Sequence, residues 1–161
     1  MEIVQVYVSG IAVDRERDHP VVLLKKKDNN GVLPIWIGPA EATAIYTVLA
    51  SKTFERPMTH DLMRIIVDVL GASVGRIEIT GIQNDTYFAR IVLNMNDEVF
   101  YIDARPSDSI ALALRAEAPI YIEEELFNRY KRNLHVGSEG DDDIKKRLKE
   151  MDPGDFGDLD L

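Results

Sequence analysis

A junction between a strand and a helix holds the residues whose types and spacing best fit chemistry on a phosphate. Asp103, Arg105 and Asp108 lie within six residues, where the apolar segment VFYID meets the apolar segment SIALAL. Carboxylates are the oxygen ligands that Mg²⁺ and Mn²⁺ prefer, and an arginine can hold a phosphate through two parallel hydrogen bonds. We therefore predict that Asp103 and Asp108 bind a metal ion and that Arg105 contacts the substrate.

The same junction also has a purely structural interpretation. Proline is tolerated at the first position of a helix, and an acid in the first turn meets unpaired amides and the positive end of the helix dipole. Asp108 follows Pro106 in this way, and Glu41 follows Pro39. An arginine between two carboxylates can likewise be a salt bridge that fixes the joint. Both interpretations remain open on the sequence alone.

A second helix start carries a histidine and an acid side by side. Thr59 is predicted to be the N-cap, which places His60 and Asp61 in the first turn. The pair could transfer a proton or contribute to a metal site. The helix is predicted to end at Gly71, and its apolar residues form one stripe at helical spacing: Leu62, Ile65, Ile66 and Val69.

The elements that must position these residues occur twice. Shifting the sequence by 67 residues aligns four pairs: Val32 with Val99, Ile35 with Ile102, Pro39 with Pro106, and Glu41 with Asp108. Upstream, strand-like segments occupy residues 3–13, 21–27, 76–82 and 86–94, and Asn30-Gly31 is a hairpin signal. The sequence therefore predicts an α+β fold of internally duplicated β-β-β-α units, with helices packed on a mostly antiparallel sheet.

The helix after Pro106 is apolar on all sides from residue 110 to 114, so both of its faces must be covered. One face would pack on the sheet, and the other on a second helix or on another subunit. Residues 119–122 are predicted to form a short strand and residues 123–133 a final helix.

Composition limits the classes of function. The 161 residues suit one domain, and the absence of cysteine excludes disulfides, thiolate metal sites and a cysteine nucleophile. With neither a basic N-terminal region nor an apolar run near the roughly 18 residues of a membrane span, the chain is expected to be soluble and cytoplasmic.

Charge divides the chain into two parts. The net charge is −9, and residues 139–161 hold nine acids and four bases, which leaves −4 for the rest. We predict a domain at residues 1–136 and an acidic C-terminal tail at residues 137–161, either flexible or able to dock on a partner. The acidic balance argues against tight, non-specific binding of nucleic acid, but not against an enzyme that contacts a few phosphates.

Three ordered segments, LPIWIGPAEATAI (33–45), RPMTHDL (56–62) and DARPSDSIALALRAEAPIYI (103–122), resemble the bifunctional nuclease domain family. The likeness extends over residues 3–127. It implies an α+β fold, self-association into a homo-oligomer and, as in some plant members, cleavage of DNA and RNA. The motif positions of interest are Glu41, His60, Asp61, Asp103, Arg105, Ser107 and Asp108.

Two hypotheses follow. In the first, the protein is a nuclease that depends on Mg²⁺ or Mn²⁺ bound by Asp103 and Asp108, and its substrate is DNA or RNA. Its catalytic residues would be Asp103, Arg105, Asp108, His60 and Asp61, and its substrate would contact Arg105, Ser107 and Glu41. In the second, it is a non-catalytic, oligomeric binding or regulatory module that recruits a protein partner through the C-terminal tail.

Overall fold

Seven strands and four helices make up the part of the chain that a computed structural model describes, residues 2–27 and 31–132. The strands are β1 (Ile3–Asp14), β2 (His19–Lys25), β3 (Val32–Trp36), β4 (Ser73–Gln83), β5 (Thr86–Met95), β6 (Glu98–Ala104) and β7 (Ile120–Glu123). The helices are α1 (Pro39–Leu49), α2 (Thr59–Val69), α3 (Pro106–Ala116) and α4 (Glu124–Tyr130). No helix of these residues is both long and apolar enough to span a bilayer.

The predicted duplication is confirmed by the sheet. Strands β1 to β3 followed by α1, and β4 to β6 followed by α3, form two antiparallel β-β-β-α units. All seven strands join in one sheet with the order β3-β2-β1-β7-β4-β5-β6. Strand β7 therefore lies between the halves, antiparallel to β1 and parallel to β4. The result is the α+β fold that the sequence predicts.

The core lies between the helices and one face of this sheet. Alternate residues such as Ile77 and Ile79 of β4 point into it, as the two-residue period of a strand requires. Helix α3 is buried on all sides at Ile110, Leu112 and the two alanines beside them. It packs on β4 and β5 with one face and on α1 and α2 with the others, so the chain's own helices supply the predicted cover.

Helix α2 differs from the prediction at its start. Its N-cap is Met58 and not Thr59, because the Asp61 carboxylate accepts a hydrogen bond from the Met58 backbone amide at 2.9 Å. The carboxylate of Asp61, at the third helical position, thus caps the helix in place of the predicted threonine hydroxyl. At the other end, Gly71 follows the helix in the left-handed conformation, with φ +76°, as expected of a glycine that ends a helix.

The apolar stripe of α2 is largely exposed. Leu62 and Ile66 are about half exposed, at 48% and 49%, and Val69 is 79% exposed, whereas His60 is the buried residue of the helix. Helical spacing identifies a face but not what it packs against. The predicted residues 28–30 of the hairpin, residue 133 of the last helix, and the domain boundary at 136 with its acidic tail lie outside the described residues.

Candidate functional site

The two repeat-related helix starts meet at a single arginine. Gly38 and Arg105 are the N-caps of α1 and α3, 67 residues apart. The Arg105 guanidinium donates from Nε to Asp108 Oδ2 at 2.7 Å, and its Nη1 lies 2.9 Å from Glu41 Oε1. The equivalent acids of the two halves are therefore brought together by a cation that only the second half supplies.

His60 joins this group from the start of α2. Its Nε2 lies 3.0 Å from Asp108 Oδ1, and its side chain is only 11% exposed. Burial opposes ionisation of Asp108, but hydrogen bonds from Arg105 and His60 outweigh burial, so the pKa of Asp108 lies below its ordinary value. Asp108 is consequently ionised at neutral pH and holds both the imidazole and the guanidinium.

A second ion pair, beside the first, went unpredicted. Arg115, at the end of α3, donates from Nε to Asp61 Oδ1 at 2.6 Å and from Nη1 to the carbonyls of Ala44 and Ala111 at 2.9 and 3.0 Å. With its side chain only 6% exposed, Arg115 fixes α3 against α1 and α2. The available signal was a basic residue in the last turn of a buried helix, because such a group needs an acid nearby.

Asp61 is occupied by this linkage. One of its oxygens accepts from Arg115 and the other from the Met58 amide. Burial raises the pKa of Asp61, yet these hydrogen bonds and the positive charge of Arg115 bring that pKa below its usual value. Asp61 is also absent from the lining of the cavities described next, so its contacts are those of a residue that positions α2.

Two cavities adjoin the Arg105–Glu41 pair. The histidine chamber has a volume of about 350 Å³, and its walls include Thr47, Phe54, Met58, His60, Asp108 and Arg115. The tyrosine chamber has a volume of about 270 Å³, and its walls include Trp36, Ile37, Asp85, Thr86, Tyr87 and Ser107. Glu41 and Arg105 are the residues of the described ranges that line both chambers.

The remaining predicted site residues divide between cleft and surface. Ser107 is buried and lines the tyrosine chamber. Asp103 is exposed on β6, opposite Arg90 in the β5–β6 register, and lines neither chamber. The structure thus brings together Glu41, His60, Arg105, Ser107 and Asp108, and leaves Asp103 apart.

The predicted metal site can be compared with this donor set. Among residues 2–27 and 31–132, no three His, Asp or Glu side chains are grouped so that they could hold a metal ion. The carboxylates of Glu41 and Asp108 are already paired with Arg105, and Asp103 lines neither chamber, so these donors by themselves do not fit a divalent ion. Binding of Mg²⁺ or Mn²⁺ by Asp103 and Asp108 stays a prediction.

Comparison with known proteins shows the family to which the chain belongs. The chain belongs to the bifunctional nuclease domain family, whose model matches residues 22–135. It is 37% identical over 146 residues to an uncharacterized protein of Mycobacterium tuberculosis, an alignment that covers 91% of this chain and 86% of that protein.

Plant relatives match over a smaller part of their length. Bifunctional nuclease 1 of Arabidopsis thaliana is 29% identical over 112 residues, 67% of this chain and 34% of the plant protein. Bifunctional nuclease 1 of Oryza sativa subsp. japonica is 25% identical over 122 residues, which are 73% of this chain and 36% of the rice protein. The chain spans about a third of the length of these plant relatives.

Proposed function

We propose that this protein hydrolyses phosphodiester bonds of nucleic acid at the cleft between α1, α2 and α3. The observation that carries the proposal is the continuous contact from His60 through Asp108 to Arg105 at the wall of a cavity. A histidine held by an ionised carboxylate is suited to proton transfer, and an adjacent guanidinium is suited to a phosphate. Membership in a family with plant relatives named bifunctional nucleases supports the same reaction.

The geometry assigns a role to each group. When Nε2 of His60 carries the ring proton and donates a hydrogen bond to Asp108, Nδ1 is unprotonated. Nδ1 can then accept a proton from a water molecule. The oxygen of that water attacks phosphorus, the bond from phosphorus to the leaving oxygen breaks, and the imidazolium returns its proton to that oxygen. Arg105 faces the added negative charge on the phosphoryl oxygens, while Glu41 orients Arg105 from the other side.

The test is cleavage of labelled single- and double-stranded DNA and RNA by the full chain. His60→Gln should lower kcat by about a hundredfold or more, the usual effect of losing a general base. Arg105→Gln should produce a loss of similar size, because a donor to the developing charge is removed. The matched control is Arg64→Gln, an exposed arginine that pairs with Asp68 on α2. Equal activity in wild type and His60→Gln would contradict this mechanism.

Dependence on Mg²⁺ or Mn²⁺ is a separate proposal with a direct test. Loss of cleavage in EDTA, with recovery on adding either ion but not Ca²⁺, would support it. Full activity in EDTA would contradict it and leave the reaction to the side chains of the cleft. Asp103→Asn tests the predicted metal ligand that lies outside both chambers. Loss of the metal-dependent activity in this variant would support a role for Asp103 in binding the ion.

The alternative function, an oligomeric binding module, is favoured by one feature. Strand β6 ends the sheet, and its apolar residues are exposed on both faces: Val99, Phe100, Tyr101 and Ile102. An apolar edge strand is a template for pairing with a second copy, and we include self-association through β6 in the proposal. Recruitment of a protein partner through the C-terminal tail remains a prediction, since the tail lies outside the described residues. A cytoplasmic location also remains a prediction.

A further inference from the structure

The histidine and tyrosine chambers share Arg105 and Glu41 and differ in every other wall residue. They are therefore two separate spaces that adjoin at one cation. A phosphate bound at Arg105 would have a cavity available to the group attached to each of its two ester oxygens. Volumes of about 350 and 270 Å³ leave room in each for a planar base.

The walls of the histidine chamber suit the face of a base. Phe54, Met58 and Ala44 supply aromatic, thioether and methyl surface, and Thr47 supplies a hydroxyl. Stacking on such surface tolerates every base, because all bases have a π-face.

The tyrosine chamber adds positive charge to aromatic walls. The guanidinium groups of Arg17 and Arg132 lie 5.0 and 5.4 Å from the Trp36 ring centre. Burial raises the pKa of Tyr87 to about 12, with Arg132 acting in the opposite direction, so the phenol is neutral and can hydrogen-bond. Asp85 also lines this chamber. A chain of net charge −9 thus places two arginines on the ring of Trp36, a wall residue of a cavity that a third arginine lines.

We infer, resting on the proposed function, that the substrate is a single-stranded nucleic acid whose backbone crosses the site at Arg105, with the two adjoining bases in separate chambers. A duplex does not fit this arrangement, because its paired bases are stacked within the helix and cannot enter two separate cavities without unpairing.

The experiment measures binding apart from cleavage. The full chain with His60→Gln is titrated by fluorescence anisotropy with a fluorescein-labelled oligothymidylate about 12 nucleotides long. The same strand annealed to its complement and an abasic strand with the same number of phosphates are the comparison probes. We expect the single strand to bind about tenfold or more tightly than either, since each stacked base adds to the affinity.

A filled chamber provides the matched variant. Thr86 is an exposed residue of the tyrosine chamber, and Thr86→Trp should occupy that chamber and weaken single-strand binding about tenfold. Thr80→Trp places the same side chain on an exposed position of β4 outside both chambers and should leave affinity unchanged. Thermal melting of each variant establishes that it is folded.

The outcomes separate this inference from the proposed function. Equal affinity for single strand, duplex and abasic strand would overturn the inference even if the wild-type protein cleaves nucleic acid. Unchanged affinity in a folded Thr86→Trp variant would also overturn it. Selective binding of the single strand without cleavage by the wild-type protein would overturn the proposed function and leave the two chambers as a binding site for single strands only.

Discussion

Asp108 holds two partners of different chemical character, and this makes it the organising residue of the cleft. One oxygen faces the His60 imidazole and the other the Arg105 guanidinium. Replacing it would therefore release the proton-transfer group and the phosphate-binding group at once. Its carboxylate also links the site to the stability of the fold, because its pKa is shifted.

The shift gives a prediction about acid. A carboxyl whose pKa is lower in the folded state stabilises the fold above the unfolded value, 3.8 for Asp108, and that contribution is lost as the pH falls through the folded value. In urea unfolding between about pH 3 and pH 7, the free energy of unfolding should fall on acidification, and less so in Asp108→Asn.

The control for this measurement is Asp97→Asn, which removes a carboxylate from an exposed turn between β5 and β6. A pH profile of Asp108→Asn identical in slope to that of the wild type would show that the ion pair adds nothing to stability. Asparagine suits position 97 because the residue has a positive φ of 64°.

At the residue scale, the sequence predicts where polar groups stand on their own elements but not their distant partners. Pro-x-acid and Thr-His-Asp patterns place Glu41, His60 and Asp108 at helix starts, and each lies there. The pairing of Arg115 with Asp61 spans 54 residues and depends on how the helices pack. No local sequence pattern identifies Asp61 as the partner of Arg115. No local pattern places Asp103 at the surface either.

At the scale of elements, Arg115 ties three helices together. Arg115→Met should lower the free energy of unfolding by about 3 kcal/mol, because it removes the guanidinium that donates to two carbonyls and to one oxygen of Asp61. The matched control is Arg64→Met, which breaks the exposed pair with Asp68 and should change stability by about 0.5 kcal/mol or less. Equal losses in urea unfolding would contradict the anchoring role.

Helices α2 and α3 should respond differently to the loss of a leucine. Leu112 of α3 is 1% exposed, and Leu112→Ala should lower the free energy of unfolding by about 2–5 kcal/mol through lost burial and a cavity. Leu62 of α2 is 48% exposed, and Leu62→Ala should cost about 1 kcal/mol or less. A large loss at Leu62 in urea unfolding would show that the stripe is covered by something outside the described chain.

The duplicated elements were predictable because each unit carries its own periodicity, turn signals and helix start. The position of β7 was not. Its four residues predict a strand, but their place between β1 and β4 depends on which backbone edges remain unpaired after both units have formed. Such pairing is non-local and leaves no period in the sequence.

At the scale of the whole molecule, the open edge of β6 gives a prediction about assembly. Val99 is 51% exposed on this edge strand, and Val99→Lys should convert an associated protein into a monomer in sedimentation velocity. Thr80→Lys places the same charge on an exposed position of β4 and should leave the sedimentation coefficient unchanged. A wild-type chain that is monomeric at all concentrations would contradict self-association.

The order of the sheet also has a consequence for synthesis. Its middle position is filled by β7, the last of the seven strands in residues 2–27 and 31–132. During translation, the facing edges of β1 and β4 therefore stay unpaired until residues 120–123 have left the ribosome and can form β7 between them. A nascent polypeptide halted before that point would present two half-sheets with unpaired inner borders, which is the stage at which chaperones and proteases would meet this protein.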